Sequence, residues 1–401
     1  MRIAIPALFL CLSTATPSGA DPEKEAFDTI TNMPGINCTL ENNQLERISA
    51  VTEKVTDQTI VDIMKHRAGL SKLKGIHIQG SKLSDAGMKE IRGLPSLTYL
   101  WLMENRGFTD TGLAALKDLP KLRNLELYGT PVTGTGLDPA VMPSLGYLNM
   151  ANCPVSSQGI RSIAKHKNLW YLDLTHGPAK DIGPLKELSH LHEIKLSHSD
   201  VDDESMLAFS SKSVEKMSLR GTKVTCATLK GFTALRHLDL DLTRTTDDGL
   251  KGLAELKLLR SLTLAGTKVT DEGLKHLAGL TDLQLLDLNG TKVKGSGIKH
   301  LSECKTLQEL RLPMNDEVFK ALVEMKMLRI YPNAFIRART PRSTDQDIYH
   351  LSLAETEITD ESLKALHGFK SLKHLVIVKT KTTDEGVMEL QKALPGLKVY
   401  R

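Results

Sequence analysis

Apolar residues recur along most of the chain at a nearly fixed interval. The stretch from Leu259 to Leu280 reads LRSLTLAGTKVTDEGLKHLAGL, and its leucine spacing returns 24 positions later, from Leu283, as LQLLDLNGTKVKGSGIKHL. An earlier copy begins at Leu235 as LRHLDLDLTRTTDDGLKGL. A period of roughly 20–29 residues is typical of a protein built by stacking one structural unit many times.

Two apolar periodicities alternate inside each unit. Leu262 and Leu264 are separated by one polar residue, which predicts a short strand with one side turned toward a core. Leu274, Leu277 and Leu280 fall at every third position, which predicts one apolar face of a short helix or 3₁₀ turn. One unit cannot bury this much apolar surface, so stacked units are predicted to bury it between a parallel sheet and a layer of short helices.

The register of the units can be followed from residue 73 onward. The first apolar residues of successive units lie 21 to 25 positions apart, so the differences in length are expected in the connecting loops. These residues are Leu73, Leu97, Leu122, Leu145, Leu169, Leu191, Val214, Leu235, Leu259, Leu283 and Leu307. The sequence therefore predicts an elongated α/β solenoid that extends over residues 73–401.

The pattern L-x-x-L-x-L-x-G-T-x-V-T-D-x-G-L resembles that of the leucine-rich repeat proteins that many environmental bacteria export. It is similar to the cysteine-containing subclass of these repeats, and the resemblance covers roughly residues 45–400. It implies a leucine-rich repeat solenoid, or horseshoe, with the parallel sheet on the concave face and the short helices and 3₁₀ turns on the convex face. It implies little about function, because unrelated activities share this scaffold.

The N-terminal residues 1–20 have the features of a secretory signal peptide. Arg2 precedes an apolar run from Ile3 to Leu12, and small residues follow up to Ala20. The run is too short to span a bilayer, so we expect a secreted or periplasmic protein that does not insert into a membrane. Residues 21–72 are the least repetitive part and are predicted to form an N-terminal cap and a degenerate first repeat.

The repeat becomes irregular at about residues 313–347. The part from Met327 to Asp347 fits the pattern poorly, and its two prolines favour a long loop. Four arginines precede its first acid, and they are Arg329, Arg337, Arg339 and Arg342. Two interpretations stay open: a binding loop for an acidic surface, or only an irregular repeat. Regular units resume at Ile348 and Leu372, and the chain ends in a single strand-like segment.

The net charge does not indicate a nucleic-acid partner. The whole chain carries 52 Lys and Arg against 48 Asp and Glu. Removal of the signal peptide takes away Arg2 and no acid, which leaves 51 against 48, or +3. A charge this nearly balanced gives no reason to expect binding to nucleic acid or to a membrane surface.

A short polar residue recurs just after each predicted strand. It is expected to satisfy backbone carbonyls where the strand turns inward. The column consists of Thr130, Thr222, Thr243, Thr267, Thr291, Thr356 and Thr380, with Asn105, Cys153 and Asn315 in the same slot. Because the other mature cysteines, Cys38, Cys226 and Cys304, belong to different columns, we expect free and mostly buried thiols rather than the disulfides that an exported protein would suggest.

Aromatic residues concentrate on the outward-facing strand positions of four adjacent units. Both tryptophans and four of the seven tyrosines lie there, whereas the units from Val214 to Leu307 have equally regular strands without an aromatic residue at these positions. Aromatic residues suit strands in general, but Trp and Tyr are also enriched in binding hot spots. We predict a partner-binding patch that consists of Tyr99, Trp101, Met103, Glu126, Tyr128, Tyr147, Asn149, Trp170, Tyr171 and Asp173.

Charged residues continue along the same face beyond the aromatic patch. They would either orient a partner that the aromatic residues anchor or form an ordinary solvated surface. These residues are Glu193, Lys195, Lys216, Arg220, His237, Asp239 and Asp241.

Three histidines suggest a metal site as an alternative. His176 and His198 share a repeat position in neighbouring units, and His192 lies between them in the sequence. Together with an aspartate they would supply ligands for Zn²⁺ in a metal-dependent hydrolase. The repeat itself also places histidines in register elsewhere, at His276 and His300, so the pairing has a simpler explanation.

Motifs of the common catalytic sites are absent from the sequence. There is no H-E-x-x-H, no G-x-S-x-G and no complete dinucleotide-binding glycine loop. The recurrent T-D-x-G-L is explained by Thr or Asp capping the helical segment that follows it.

The sequence therefore predicts a recognition scaffold without catalytic activity, cofactor or metal. It would bind a protein, peptide or glycan on its concave face through the aromatic patch, as a monomer. The two alternatives are the metal-dependent hydrolase and a structural spacer in an envelope assembly.

Overall fold

The computed structural model describes residues 21–42, 44–336 and 343–401. The predicted signal peptide, residues 1–20, lies outside the described residues. So do Arg337, Arg339 and Arg342 of the predicted arginine-rich loop.

Strands lie side by side in chain order and form two sheets. The first sheet contains 13 strands, β1 to β13, and the second contains four, β14 to β17. Only the first pair of each sheet is antiparallel, β1 with β2 and β14 with β15. The parallel-sheet solenoid that the repeat predicts is thereby confirmed. The strands are β1 Asn37–Glu41, β2 Gln44–Val51, β3 Gly75–Gln79, β4 Tyr99–Trp101, β5 Asn124–Glu126, β6 Tyr147–Asn149, β7 Tyr171–Asp173, β8 Glu193–Lys195, β9 Lys216–Ser218, β10 His237–Asp239, β11 Ser261–Thr263, β12 Leu285–Asp287, β13 Glu309–Arg311, β14 Ala334–Ile336, β15 Ile348–Ser352, β16 His374–Val376 and β17 Lys398–Tyr400.

Short helices connect many of the strands. The α-helices are α1 Pro22–Thr31, α2 Asp57–Lys65, α3 Asp85–Glu90, α4 Asp110–Ala115, α5 Ser157–Ile163, α6 Asp203–Phe209, α7 Asp247–Leu250, α8 Asp316–Glu324, α9 Asp360–Ala365 and α10 Asp384–Ala393. The 3₁₀ helices are Arg67–Leu70, Gly183–Glu187, Leu229–Gly231, Lys251–Leu253, Gly273–Leu277, Ile298–Leu301, Leu328–Ile330 and Asp345–Asp347. Among the described residues, no helix has the length and apolar character that crossing a membrane requires.

The apolar residues that set the repeat form one continuous core. The eleven residues that open the units, from Leu73 to Leu307, are all at most 5% exposed. The helical leucines Leu274, Leu277 and Leu280 are fully buried as well. Each unit therefore places both of its apolar faces between the sheet and the helical layer, and the next unit covers the remaining edge.

The threonines of the predicted column form hydrogen bonds with backbone carbonyl groups. Each threonine hydroxyl donates to the carbonyl oxygen three residues earlier, at 2.7 Å from Thr267 to Leu264, and the same bond is formed by Thr130, Thr222, Thr243, Thr291, Thr356 and Thr380. Asn105 and Cys153 fill the same role, since each donates to a carbonyl of the preceding unit. Asn315 does not belong to the column. It caps α8 by accepting a 2.9 Å hydrogen bond from the Val318 N–H.

The predicted Thr or Asp cap of the T-D-x-G-L helix is confirmed for the threonine, whereas the aspartate does not cap its own helix. In the unit that contains α7, Thr246 is the capping residue. Asp247 instead reaches the next unit, where it accepts hydrogen bonds from the Thr270 N–H at 2.8 Å and from the Thr270 hydroxyl at 2.7 Å. The same joint links Asp85 to Thr109, Asp110 to Thr133, Asp203 to Thr225, Asp316 to Thr359 and Asp360 to Thr383.

The glycine of the same motif makes room for this joint. A Cβ added at Gly273 would collide with the carboxylate of Asp247, and one added at Gly136 would collide with the backbone carbonyl of Asp110. A side chain at this position would therefore push neighbouring units apart.

The four described cysteines lie in separate places along the solenoid. Cys153, Cys226 and Cys304 are buried, Cys38 is partly exposed, and none of the four forms a disulfide. Burial raises the pKa of the Cys226 thiol to about 12, so this thiol stays protonated at neutral pH.

The irregular segment near the C-terminus is not only a long loop. Its described residues include a 3₁₀ helix, Leu328–Ile330, and strand β14, which pairs with β15 in antiparallel orientation. The buried carboxylate of Asp345 accepts hydrogen bonds from the N–H groups of Leu328 and Arg329, both at 2.9 Å. The segment thus ends the first sheet and starts the second. At the other end of the second sheet, β17 pairs in parallel with β16.

Candidate partner-binding surface

Two rows of side chains run across the outer face of strands β4 to β8. The strand register aligns Tyr99, Asn124, Tyr147, Tyr171 and Glu193 in the first row. It aligns Trp101, Glu126, Asn149, Asp173 and Lys195 in the second row. Adjacent members of a row are about 4.8 Å apart, because that is the spacing of neighbouring strands. The predicted patch residues in these strands therefore share one face.

The aromatic residues of this face form two clusters rather than one continuous patch. In the first cluster, the rings of Tyr99 and Trp101 lie 5.4 Å apart, and His77 meets the Trp101 ring edge-on at 5.4 Å. The Arg47 guanidinium lies over the Tyr99 ring at 5.3 Å and donates a hydrogen bond to the tyrosine hydroxyl. Tyr99 also covers the backbone of Gly75, where a Cβ would occupy the space of the ring.

The second cluster contains Tyr147, Trp170 and Tyr171. The two tyrosine rings stack in parallel at 4.3 Å, and the Trp170 ring lies 6.0 Å from Tyr147 and 5.9 Å from Tyr171. Trp170 precedes β7 and is 47% exposed, which leaves much of the indole in contact with solvent. It packs on Gly146 of the preceding unit, since a Cβ there would lie 2.9 Å from the indole ring.

Strand β5 separates the clusters and contributes a buried carboxylate. Glu126 is only 8% exposed and accepts hydrogen bonds from the Asn149 side chain at 3.0 Å, the Tyr128 N–H at 3.2 Å and the Tyr147 hydroxyl at 3.4 Å. Burial, with a contribution from the negative charge of Asp173, raises the pKa of the Glu126 carboxyl group. This carboxylate holds Tyr147 and Asn149 in place and lies between Trp101 and the tyrosine stack.

Tyr171 and Asp173 are buried parts of the predicted patch. Each is 7% exposed, and the Tyr171 hydroxyl donates to the Asp173 carboxylate at 3.3 Å. The Lys195 ammonium lies over the Tyr171 ring at 5.2 Å. Burial, together with the nearby negative charge of Asp173, raises the pKa of the Tyr171 hydroxyl, so it stays protonated and keeps donating. These two residues support Tyr147 and Trp170 rather than offer contact area.

Met103 and Tyr128 lie beyond the ends of β4 and β5, apart from the two clusters. Tyr128 lines an open cavity of about 1010 Å³, together with Glu53, Lys82, Glu104 and Arg106. Because this cavity lies beyond the C-terminal ends of strands β3 to β6, Tyr128 is a neighbour of the face rather than a member of either cluster.

The charged stretch beyond β7 is paired internally. Glu193 lies 3.5 Å from the Lys216 ammonium, and the Arg220 guanidinium lies 2.6 Å from Asp241. Asp239 accepts hydrogen bonds from the hydroxyls of Ser218 at 2.8 Å and Thr263 at 3.0 Å. These contacts neutralise most of the charge on this part of the face.

The three histidines of the alternative metal site do not form one cluster. His176 and His198 stack at 4.6 Å, but His192 precedes β8 while His198 follows it, so the strand separates them. Among the residues that the structure describes, no group of three or more His, Cys, Asp or Glu side chains is arranged to hold a metal ion. The predicted cluster of His176, His192 and His198 is therefore wrong.

Arg47, His77, Gly75 and Gly146 belong to the surface but were missed by sequence reasoning. Arg47 and His77 lie in the first two strands of the parallel stack, β2 and β3, where the repeat is degenerate. The alternating apolar residues Ile48 and Ala50 give the register of β2, and they would have placed Arg47 on the outer face.

Comparison with known proteins supports the fold. A family model described as Leucine Rich repeat matches residues 187–210 and 256–278. No curated protein matches the sequence. An internalin (inlF) from Listeria monocytogenes is 18% identical, with a TM-score of 0.57 over 95% of this chain and 94% of that one. TLR13 in its complex with ssRNA13 is 16% identical, with a TM-score of 0.55 over 85% of this chain and 59% of that one. The leucine-rich repeat solenoid predicted from the sequence is confirmed.

Proposed function

We propose that this protein is a recognition scaffold without catalytic activity, and that it binds a protein or peptide partner on the outer face of strands β4 to β7. The observation that supports this most directly is the exposed Trp170 ring. An indole that is 47% exposed and held by two tyrosine rings offers contact area at little cost in side-chain entropy. Trp101 and Tyr147 extend the same surface on either side of Glu126.

Trp101 and Trp170 should both be needed for partner capture. Truncation of a hot-spot residue typically costs about 2 kcal/mol or more, which corresponds to a loss of affinity of about 30-fold. The test is a pull-down from the envelope and surroundings of the producing cells, followed by affinity measurement with the captured partner for wild type, Trp101→Ala and Trp170→Ala.

Phe335→Ala is the matched control for this experiment. Phe335 is 49% exposed, close to the exposure of Trp170, but it lies on the second sheet. Loss of binding in the two tryptophan variants with binding retained in Phe335→Ala supports the proposal. Equal binding by all four proteins removes this face from consideration.

We further propose that the protein acts outside the cytosol, as the signal-like residues 1–20 suggest. Detection of the mature N-terminus at Asp21 in the exported fraction would test this. A full-length chain that is retained in the cytosol would contradict it.

A further inference from the structure

The two clusters already hold cations of the chain at their outer ends. Arg47 lies over the ring of Tyr99 on one side, and Lys195 lies over the ring of Tyr171 on the other. Both contacts are cation–π interactions, which aromatic faces form with guanidinium and ammonium groups. Two rings of this face, Tyr99 and Tyr171, therefore already contact positive charge from the chain itself.

The centre of the face carries negative charge without such a partner. Glu126 is hydrogen-bonded to the Tyr147 hydroxyl, the Asn149 amide and the Tyr128 N–H, and Asp173 to the Tyr171 hydroxyl and the Thr175 N–H. Among the described residues, neither carboxylate forms an ion pair. Several other acids of the first sheet's outer face are paired with lysine or arginine, namely Glu193, Asp241, Asp287 and Glu309. Asp239 resembles Glu126, since it is held by the hydroxyls of Ser218 and Thr263.

A buried carboxylate without a cation is costly, because burial disfavours its charged form. Here burial is the largest cause of the raised pKa of Glu126, and the charge of Asp173 adds to it. A positive group from a partner would relieve both effects. The strand register places Glu126 in β5, between Trp101 of β4 and Tyr147 of β6, and both of these rings are partly exposed.

We propose that the partner inserts an arginine side chain between Trp101 and Tyr147 to pair with Glu126. A guanidinium is planar, so it stacks on aromatic rings while it donates hydrogen bonds to a carboxylate. Arg47 makes the corresponding contacts with Tyr99 inside this chain, where it combines ring stacking with a hydrogen bond. The inference rests on the proposed function and specifies the chemistry of the partner at its centre.

The test uses the full chain labelled with 5-fluorotryptophan, so that Trp101 and Trp170 give the two ¹⁹F signals. The signals are assigned with Trp101→Phe and Trp170→Phe. The probes are the blocked tripeptides acetyl-Gly-Arg-Gly-amide and its citrulline analogue, which has nearly the same shape without the charge. We expect the arginine peptide to shift the Trp101 signal saturably and the citrulline peptide to bind at least tenfold more weakly.

Glu126→Gln keeps the shape of the side chain and an acceptor oxygen. This variant should bind the arginine peptide about tenfold more weakly than the wild-type chain, or weaker still. Glu193→Gln is the matched control, because Glu193 lies on the same face but is already paired with Lys216. Its effect should be less than twofold. Equal binding of the arginine and citrulline peptides to the wild-type chain overturns the proposal, and so does unchanged binding by a folded Glu126→Gln variant.

The outcome is separable from that of the proposed function. If Trp101→Ala loses the captured partner while the arginine peptide leaves the Trp101 signal unchanged, the surface binds a partner by other chemistry and only the inference about arginine fails. If the tryptophan variants keep full binding of the partner, the proposed function fails on its own test.

Discussion

His166 occupies a core position that apolar residues fill in neighbouring units. It stands three residues before the strand-opening Leu169, where Met142, Leu188 and Leu256 stand in their own units. The side chain is 3% exposed, and among the described residues its Nε2 atom has no hydrogen-bond partner. Burial lowers the pKa of His166 to about 4, so the imidazole is neutral in the folded protein at neutral pH.

This histidine should make stability fall in mild acid. The unfolded chain takes up a proton near the ordinary pKa of about 6.5, whereas the folded chain does so only near 4, so protonation favours unfolding as the pH falls between these values. Between about pH 7.5 and pH 5, the free energy of unfolding should fall by about 2 kcal/mol because of this histidine. His166→Leu should abolish this part of the loss, as measured by urea denaturation at both pH values.

The exposed His190 provides the control for this prediction. His190→Leu should leave the difference in the free energy of unfolding between the two pH values unchanged. If His166→Leu shows the same pH dependence as the wild-type chain, the buried imidazole does not cause the acid sensitivity.

Where it occurs, the T-D-x-G-L motif joins neighbouring repeats through three residues with separate roles. The threonine caps its own helix, the aspartate accepts hydrogen bonds from the following unit, and the glycine lets the two units approach. Since a solenoid is stabilised by the interfaces between neighbours, this joint contributes to the stack at every repeat where it occurs. It gives the aspartates a structural role.

Asp247→Ala should therefore destabilise the central repeats. It leaves the N–H and the hydroxyl of Thr270 without their acceptor, and hydrogen bonds to a charged group contribute about 1.5–3 kcal/mol. We expect the free energy of unfolding to fall by about 2 kcal/mol, as measured by urea denaturation. Asp248→Ala is the control, because Asp248 is exposed and pairs with Lys251 of its own unit. An equal loss in both variants would show that the inter-unit bond is not the cause.

The repeated elements could be predicted from the sequence because each depends on a local pattern. Alternating leucines such as Leu262 and Leu264 give the strand, the threonine column gives the turn, and the interval gives the register. Strand β14 could not be found in this way, because it pairs in the opposite direction and has no repeat pattern. The hydrogen bonds of Asp247 were also hidden, since they join residues that lie more than 20 positions apart in the sequence.

The candidate site was predictable only as a face. Strand alternation places Tyr99, Trp101, Tyr147 and Tyr171 on the outer side of the sheet, as the structure has them. The alternation does not give side-chain packing, so the near-complete burial of Tyr171 beneath its neighbours was not foreseen. Nor does it show that Glu126 divides the aromatic residues into two clusters.

On the scale of the whole molecule, the main feature is the break between the two sheets. Strand β13 does not pair with β14, yet the helical side of the solenoid continues across the break. The Asp316 carboxylate in α8 accepts hydrogen bonds from Thr359, at 2.9 Å from the N–H and 2.7 Å from the hydroxyl, and from the Ser362 hydroxyl at 2.5 Å. The Glu357 N–H donates to the Met314 carbonyl at 3.1 Å. These bonds span an irregular segment and take the place of sheet pairing.

Asp316→Ala should therefore uncouple the C-terminal repeats from the rest. Because each repeat contacts mainly its neighbours, weakening one interface lets the part beyond it unfold on its own. We expect faster amide hydrogen exchange throughout residues 343–401, with residues 73–311 unchanged, and an additional early transition on heating. Asp360→Ala is the matched control, since the bonds of Asp360 to Thr383 lie within the C-terminal part. This substitution should accelerate amide hydrogen exchange in the last repeat only. If Asp316→Ala accelerates exchange equally along the whole chain, the two sheets unfold as one unit and the joint at α8 does not divide the molecule.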